Sequence, residues 1–304
     1  MTIGLIQYTF GKRHLRGAGQ TPATQKGSGD YAASKRTLMI GAFTSGVLLI
    51  IVVLLGLQRL ITAKTIADAS GALLVAVVVV FFGWMFFAAK WTPVERKRLI
   101  VVAVLFAASC IFWAVFEQAG STLNLFALEK TDNRIGSFNM PASWYQAINA
   151  MFIVTLAPVF AWLWLSLGTR EPSSPAKFVW ALLLVGLGFM VLAVGARISD
   201  AGIKVSPIWL LITYLLHTMG ELCLSPVGLS AMTKLAPTRV AGLMMGVWFL
   251  SISIGNYIGG RVASLYEALP LTVLFVIVGA MAVVVGAALA LFIRPMVRLM
   301  GGVR

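Results

Sequence analysis

Residues 100–127 read IVVAVLFAASCIFWAVFEQAGSTLNLFA. From Ile100 to Phe116 no side chain is charged, and then Glu117 stands inside the same run. About 20 predominantly apolar residues cross the hydrocarbon core of a bilayer as a helix. The stretch is therefore predicted to span a membrane and to carry a carboxylate there. Outward from it the pattern repeats. Apolar runs of spanning length cover about Thr37–Leu57, Ser70–Ala89, Ile100–Ala127, Ala142–Leu167, Phe178–Ala196, Pro207–Ser230, Val240–Leu265 and Leu271–Ile293. These runs are continuous, whereas barrel strands alternate over about ten residues, so an all-α integral membrane fold with eight full transmembrane helices is predicted. Met1–Phe10 is apolar but too short to span, has no A-x-A cleavage pattern, and reads as the end of a further helix.

Composition agrees. The 304 residues are 60% hydrophobic and 11% charged, with mean hydropathy +0.93, where a soluble domain carries about 25% charged residues. That argues against a soluble enzyme or binding module. The net charge of +14 invites a nucleic-acid reading, but its distribution follows topology instead. With loops assigned alternately to two sides, 17 Lys and Arg residues fall on one side and 7 on the other. The positive-inside rule places the richer side, and both termini, in the cytoplasm. The basic stretch Gly11–Arg36 reads as a cytoplasmic linker. Cys110 and Cys223 lie inside apolar runs and read as small buried hydrophobes.

Eight of the ten acids fall in loops; Glu117 and Glu221 do not. A charge at the bilayer centre costs about 2.5–3.5 kcal/mol on insertion scales. In low dielectric a carboxylate favours its neutral form alone and its ionised form beside a cation. Such a group can register both a proton and a cationic ligand. No Lys or Arg is predicted mid-span, so the cation is expected from a substrate or another part of the protein. Gln118, Ser121, Thr122 and Asn124 follow Glu117 within two turns. Around Glu221, Ser225 and His217 sit four residues to either side, on one helical face. Pro226 and Gly228 invite a kink whose freed carbonyls could line a cavity. His217 reads as a proton acceptor or, more plainly, as a histidine hydrogen-bonded between helices. Asn149 is a lone amide within its span, open to the same interhelical reading. Trp248 lies about a third of the way into its span, where it could line a pocket, and the glycines around it (Gly242, Gly246, Gly255, Gly259, Gly260) predict close helix packing. The only other histidine is His14, and no metal-ligand spacing, nucleotide-binding glycine fingerprint or nucleophile motif is present. No enzyme activity and no metal or cofactor is predicted.

Four stretches closely resemble the proton-dependent oligopeptide transporter family of the major facilitator superfamily. They are FWAVFEQAGS at 112–121, PVFAWLW at 158–164, GELCLSPVGLS at 220–230 and MGVWFLS at 245–251. The resemblance implies proton-coupled symport of di- and tripeptides into the cell across a bacterial inner membrane, with protons as the coupling ion. It implies the second half of a twelve-helix architecture built as two six-helix bundles. Residues 1–10 would then be the end of helix 6, 11–36 the linker, 37–98 two inserted transmembrane helices, and 99–304 the C-terminal six-helix bundle, helices 7 to 12, with its tail. It further implies that Glu117 couples protons and that Asn149, Glu221, Ser225 and Trp248 bind the substrate, the first two receiving its amino terminus, with Gln118 and His217 as accessory candidates. Ala150 stands where many members have proline. The helix 1 Glu-x-x-Glu-Arg-Phe motif, the helix 4 lysine and the helix 5 motif are not in this sequence. An N-terminal six-helix bundle is thus the expected partner, alongside peptide and membrane lipids, and the chain alone is expected to be inactive, since alternating access rocks one bundle against another. Two other readings remain open. One is half of a transporter for another small solute such as nitrate; the other is a membrane subunit that does not transport.

Overall fold

The computed structural model describes residues 9–11, scattered positions between 36 and 58, 62–237 and 240–302. Its contacts divide the chain into Met1–Ser70 and Gly71–Arg304. Most of the predicted span Thr37–Leu57, most of the linker and most of the predicted helix end at 1–10 lie outside the described residues.

Among the described residues seven helical segments are long and apolar enough to cross a membrane: Lys64–Phe87, Pro93–Glu129, Trp144–Arg170, Ser174–Ser199, Ile208–Leu235, Ala241–Ala263 and Leu271–Leu291. They correspond to the second to eighth predicted spans. The α-helices are α1 (Ala63–Gly83), α2 (Pro93–Phe116), α3 (Thr122–Glu129), α4 (Trp144–Leu167), α5 (Ser174–Ser199), α6 (Ile208–Leu235), α7 (Ala241–Ala263), α8 (Leu271–Leu291) and α9 (Ile293–Met300). A two-stranded antiparallel hairpin, β1 (Arg134–Ile135) and β2 (Phe138–Asn139), links α3 to α4.

Local chemistry sets the ends of these helices. α2 begins seven residues before the apolar run because Thr92, Pro93 and Glu95 form a complete start signal. The Glu95 amide donates to Thr92 Oγ1 at 3.3 Å and the Thr92 amide donates to Glu95 Oε2 at 2.8 Å, a capping box with proline in the first turn. α5 likewise starts at Ser174 rather than Phe178, which moves Lys177 from the predicted loop into the helix, where it is buried. Pro226 sits inside α6, which continues through it to Leu235.

Packing within Gly71–Arg304 depends on small residues at two crossings. A Cβ on Gly186 of α5 would lie 2.8 Å from the Gly279 carbonyl of α8. A Cβ on Gly255 of α7 would lie 2.4 Å from Trp113 Cβ of α2. Helices can approach this closely only where no side chain intervenes. Gly242, Gly246 and Gly260 face open space instead, so only part of the predicted glycine face packs. Beside the α2–α7 crossing, Ser109 and Ser251 share a buried hydrogen bond of 2.8 Å. At one rim the Val205 amide donates to the Lys130 carbonyl at 2.8 Å and the Asp132 amide donates to the Val205 carbonyl at 2.9 Å, tying the segment after α3 to the α5–α6 connection. α4 is the open element, for Tyr145 is its one buried residue.

Candidate functional site

Glu117 stands where α2 stops being an α-helix. The chain tightens into a 3₁₀ turn over Glu117–Gly120 before α3 begins. The reason is visible in the next residue. Gln118 is fully buried; its Nε2 donates to the Ala114 carbonyl at 3.0 Å and to the Gly259 carbonyl of α7 at 2.9 Å. Its Oε1 accepts from Ser121 and Thr122, each at 3.2 Å. A backbone irregularity within a membrane must find its hydrogen bonds inside the protein, and Gln118 supplies them. Gln118, Ser121 and Thr122 are thereby occupied with one another, in a bracket that holds the break against α7. Glu117 itself is left half-buried beside this bracket.

Glu221 lies midway along α6, also half-buried. Asn149 of α4 donates from Nδ2 to Glu221 Oε2 at 3.4 Å, and Thr218 donates from Oγ1 to Asn149 Oδ1 at 2.5 Å and to the Tyr214 carbonyl at 2.8 Å. The Asn149 amide is thus interhelical and orients the carboxylate at the same time. Thr218 was missed by the sequence reading, which examined positions four residues from Glu221; three residues away lies on the same helical face and was the signal available. Neither Glu117 nor Glu221 has an ion-pair partner among the described residues, where Lys177–Glu171 is the salt bridge found. Of the polar groups that follow Glu117, Gln118 is 0% and Thr122 1% exposed.

Ser225 Oγ is buried without a hydrogen-bond partner. Trp248 is 4% exposed and seats its ring over Gly228 of α6, where a Cβ would come within 2.2 Å of the indole. It also meets Phe178 edge-on at 6.5 Å. Its enclosure makes it a wall of α6 and α7 more than a free platform. His217 is 1% exposed, between Phe116 at 6.2 Å and Phe189 at 5.2 Å, and neither ring nitrogen has a hydrogen bond of good geometry. The histidine does lie between helices as expected, with the backbone of Val185 in α5 as a polar neighbour. The ring fills the notch left by Gly188, where a Cβ would meet His217 Cδ2 at 2.6 Å. It turns toward α2 and α5, while Glu221 and Thr218 turn toward α4. Ala150 is exposed and α4 runs through it without interruption.

The arrangement is an uncompensated carboxylate held by an amide that a hydroxyl anchors in turn, with a second carboxylate at a helix break. It suits a ligand that brings a positive charge, together with a group that changes protonation.

Comparison with known proteins agrees with the stretches quoted above. The profile described as "PTR2: POT family" matches residues 1–298. The peptide transporter YePEPT of Yersinia enterocolitica is 40% identical over 274 residues, which cover 86% of this chain and 53% of that protein. The di-/tripeptide transporter of Lactococcus lactis subsp. cremoris is 30% identical over 315 residues, covering 100% of this chain and 62% of that protein. A crystal structure of a peptide transporter POT in complex with sulfate superimposes with a TM-score of 0.83 at 35% identity, over 99% of this chain and 61% of that one. The chain thus spans between 53% and 62% of the length of these relatives.

Proposed function

The chain belongs to the POT family, and from that membership we propose that it supplies the substrate-ammonium and proton-coupling side of a proton-coupled symporter for di- and tripeptides. The observation that carries this reading is the Asn149–Thr218–Glu221 cluster, a carboxylate oriented by two polar side chains and left without a cation. The peptide's ammonium is the complementary group, and charge-assisted hydrogen bonds to a carboxylate are about twice as strong as neutral ones. Ser225 and Trp248 complete the wall on that side. Glu117, at the helix break, is the group whose protonation releases a cation held by the opposite bundle and permits closure.

The transport cycle needs that opposite bundle. Residues 99–304 form helices 7 to 12 in this reading, 37–98 two inserted helices, 11–36 a cytoplasmic linker and 1–10 the end of helix 6. The termini face the cytoplasm of a bacterial inner membrane, as the 17 to 7 split of basic residues supports. Without an N-terminal six-helix bundle the chain has no second wall for alternating access and does not transport by itself.

The test is proteoliposome uptake of a labelled dipeptide by the chain in a protein of its relatives' full length, under an inward proton gradient. Glu221→Gln is expected to raise the KM for peptide sharply, and Glu117→Gln to abolish the response to the gradient while exchange of bound peptide persists. Unchanged peptide affinity in Glu221→Gln removes the ammonium site. Gradient-driven uptake that survives Glu117→Gln removes the coupling role.

A further inference from the structure

A cavity that contains neither Glu117 nor Glu221 lies at the end of α4 opposite Asn149. It has a volume of about 500 Å³ and is lined by the C-terminal turn of α4, the start of α5 and the last third of α6. This is the lysine-rich boundary of the bundle. Lys177, 6% exposed, lies in its wall; the ammonium sits 4.4 Å from the centre of the Trp164 ring and forms an ion pair with Glu171 Oε1. Lys234 also lines the cavity and makes no hydrogen bond or ion pair among the described residues. The hydroxyl of Ser174 lines it too. That residue is 9% exposed, and its hydroxyl has no hydrogen-bond partner among the described residues. Ser230 adds a further hydroxyl in the same condition.

Three features converge on one kind of ligand. The cavity carries two lysines against one glutamate, a surplus of one positive charge. It receives the N-terminus of the 26-residue α5, whose first turn has no side-chain cap, so helix amides add partial positive charge to the lysine field. The unpartnered hydroxyls are donors for anionic oxygens. The remaining wall is apolar, from Trp164, Pro226 and Val227, and α4 next to it turns Trp162 and Leu165, 68% and 82% exposed, outward. A free anion would have no use for that rim, whereas a lipid places its phosphate at the polar end and its chains along the apolar one.

We propose that this cavity holds the phosphodiester of a membrane phospholipid, its single negative charge matching the surplus and its acyl chains lying along α4. Glu171 keeps Lys177 in place, and Lys234 and Ser174 engage the phosphate directly.

The experiment is native mass spectrometry of the chain released from detergent micelles, with phosphatidylglycerol, a phosphate-free galactosyl diacylglycerol and inorganic phosphate as separate probes. Phosphatidylglycerol is expected to be retained with one preferred molecule. Lys234→Gln, at an exposed position, is expected to weaken that retention about tenfold, the scale of one lost charge-assisted hydrogen bond. Ser174→Ala weakens it less, and Lys234→Arg, which keeps the charge, retains it. Equal retention of the phosphate-free lipid overturns the proposal. So does undiminished phosphatidylglycerol retention in Lys234→Gln. Displacement of the lipid by millimolar inorganic phosphate, with phosphate itself bound, assigns the cavity to a free anion and overturns the lipid assignment.

Discussion

Replacing Gln118 by leucine tests the bracket at the helix break. The side chain makes four hydrogen bonds: two donated, to the Ala114 and Gly259 carbonyls at 3.0 and 2.9 Å, and two accepted, from Ser121 and Thr122 at 3.2 Å each. Leucine fills nearly the same volume and makes none of them. Side-chain hydrogen bonds within membrane proteins average about 0.6 kcal/mol each, so the four together contribute about 2.4 kcal/mol. Ser121 recovers little by turning to the Gln118 carbonyl, since that contact is already at 3.5 Å. The Thr122 hydroxyl is left buried without its acceptor, and an unsatisfied buried group costs about 1–3 kcal/mol in its own right. A loss of about 2–4 kcal/mol is therefore expected in reversible unfolding of the chain by sodium dodecyl sulfate in mixed micelles. Gly259→Ala places a Cβ 3.2 Å from Gln118 Nε2, so it acts on the same bond. Its cost combined with Gln118→Leu is expected to be less than additive. A loss below about 0.5 kcal/mol, the size of an ordinary surface substitution, refutes the bracket and returns Gln118 to the ligand site.

Three further expectations follow from the packing and the site. Gly228→Ala drives a methyl group to within 2.2 Å of the Trp248 ring and is expected to destabilise the chain by about 1–3 kcal/mol, with Trp248→Leu in the same chain restoring part of the loss; thermal unfolding in micelles reads both. Thr218→Val removes the hydroxyl that anchors Asn149 and, under the proposed function, is expected to raise the KM for peptide severalfold in a protein of the relatives' full length with the maximal rate retained; an unchanged KM separates Thr218 from the ligand site. The Tyr266 phenol, between α7 and α8, is held above its ordinary value of 10 by burial and by the negative charge of Glu129, whose carboxylate accepts its hydrogen bond at 3.4 Å. The folded state thus keeps a proton that the unfolded state releases. Its stabilising effect is complete below pH 10 and is lost as the pH climbs toward the folded value. The midpoint of thermal unfolding should fall above pH 10 by more in the parent chain than in Tyr266→Phe.

The spans were legible because a bilayer demands long apolar runs, and nothing in tertiary packing can rescue a short one. Seven of the eight recur in the structure, with their ends shifted by caps. The capping box of Thr92 and Glu95 around Pro93 was not read from the sequence, and the first turn of α5 hid Lys177. The two carboxylates were legible for a related reason, since an acid in an apolar run is costly enough to need a purpose. Their neighbours were not. Gln118 and Thr218 are both polar residues next to a membrane acid, and sequence gives them equal standing. Only the structure separates them, because one spends its amide on the Gly259 carbonyl of a helix about 140 positions away and the other reaches across to the amide of Asn149. His217 shows the same limit. Its spacing from Glu221 places both near one face, but a helical face is wide, and packing against Phe116 and Phe189 turned the imidazole to the far side of it.

Sequence alone determined that this protein lies in a membrane and which two acids lie within its spans. These are one-dimensional consequences of what hydrocarbon accepts. The tertiary structure decided which polar groups are already satisfied and which still wait for a ligand. Hydrogen bonds between helices join residues that the chain keeps far apart, and each one formed inside the protein removes a candidate from the site. Among the groups left without a counter-charge or partner within the described residues are Glu221 in the grip of Asn149 and, at the opposite boundary, Lys234 and Ser174 around an open cavity.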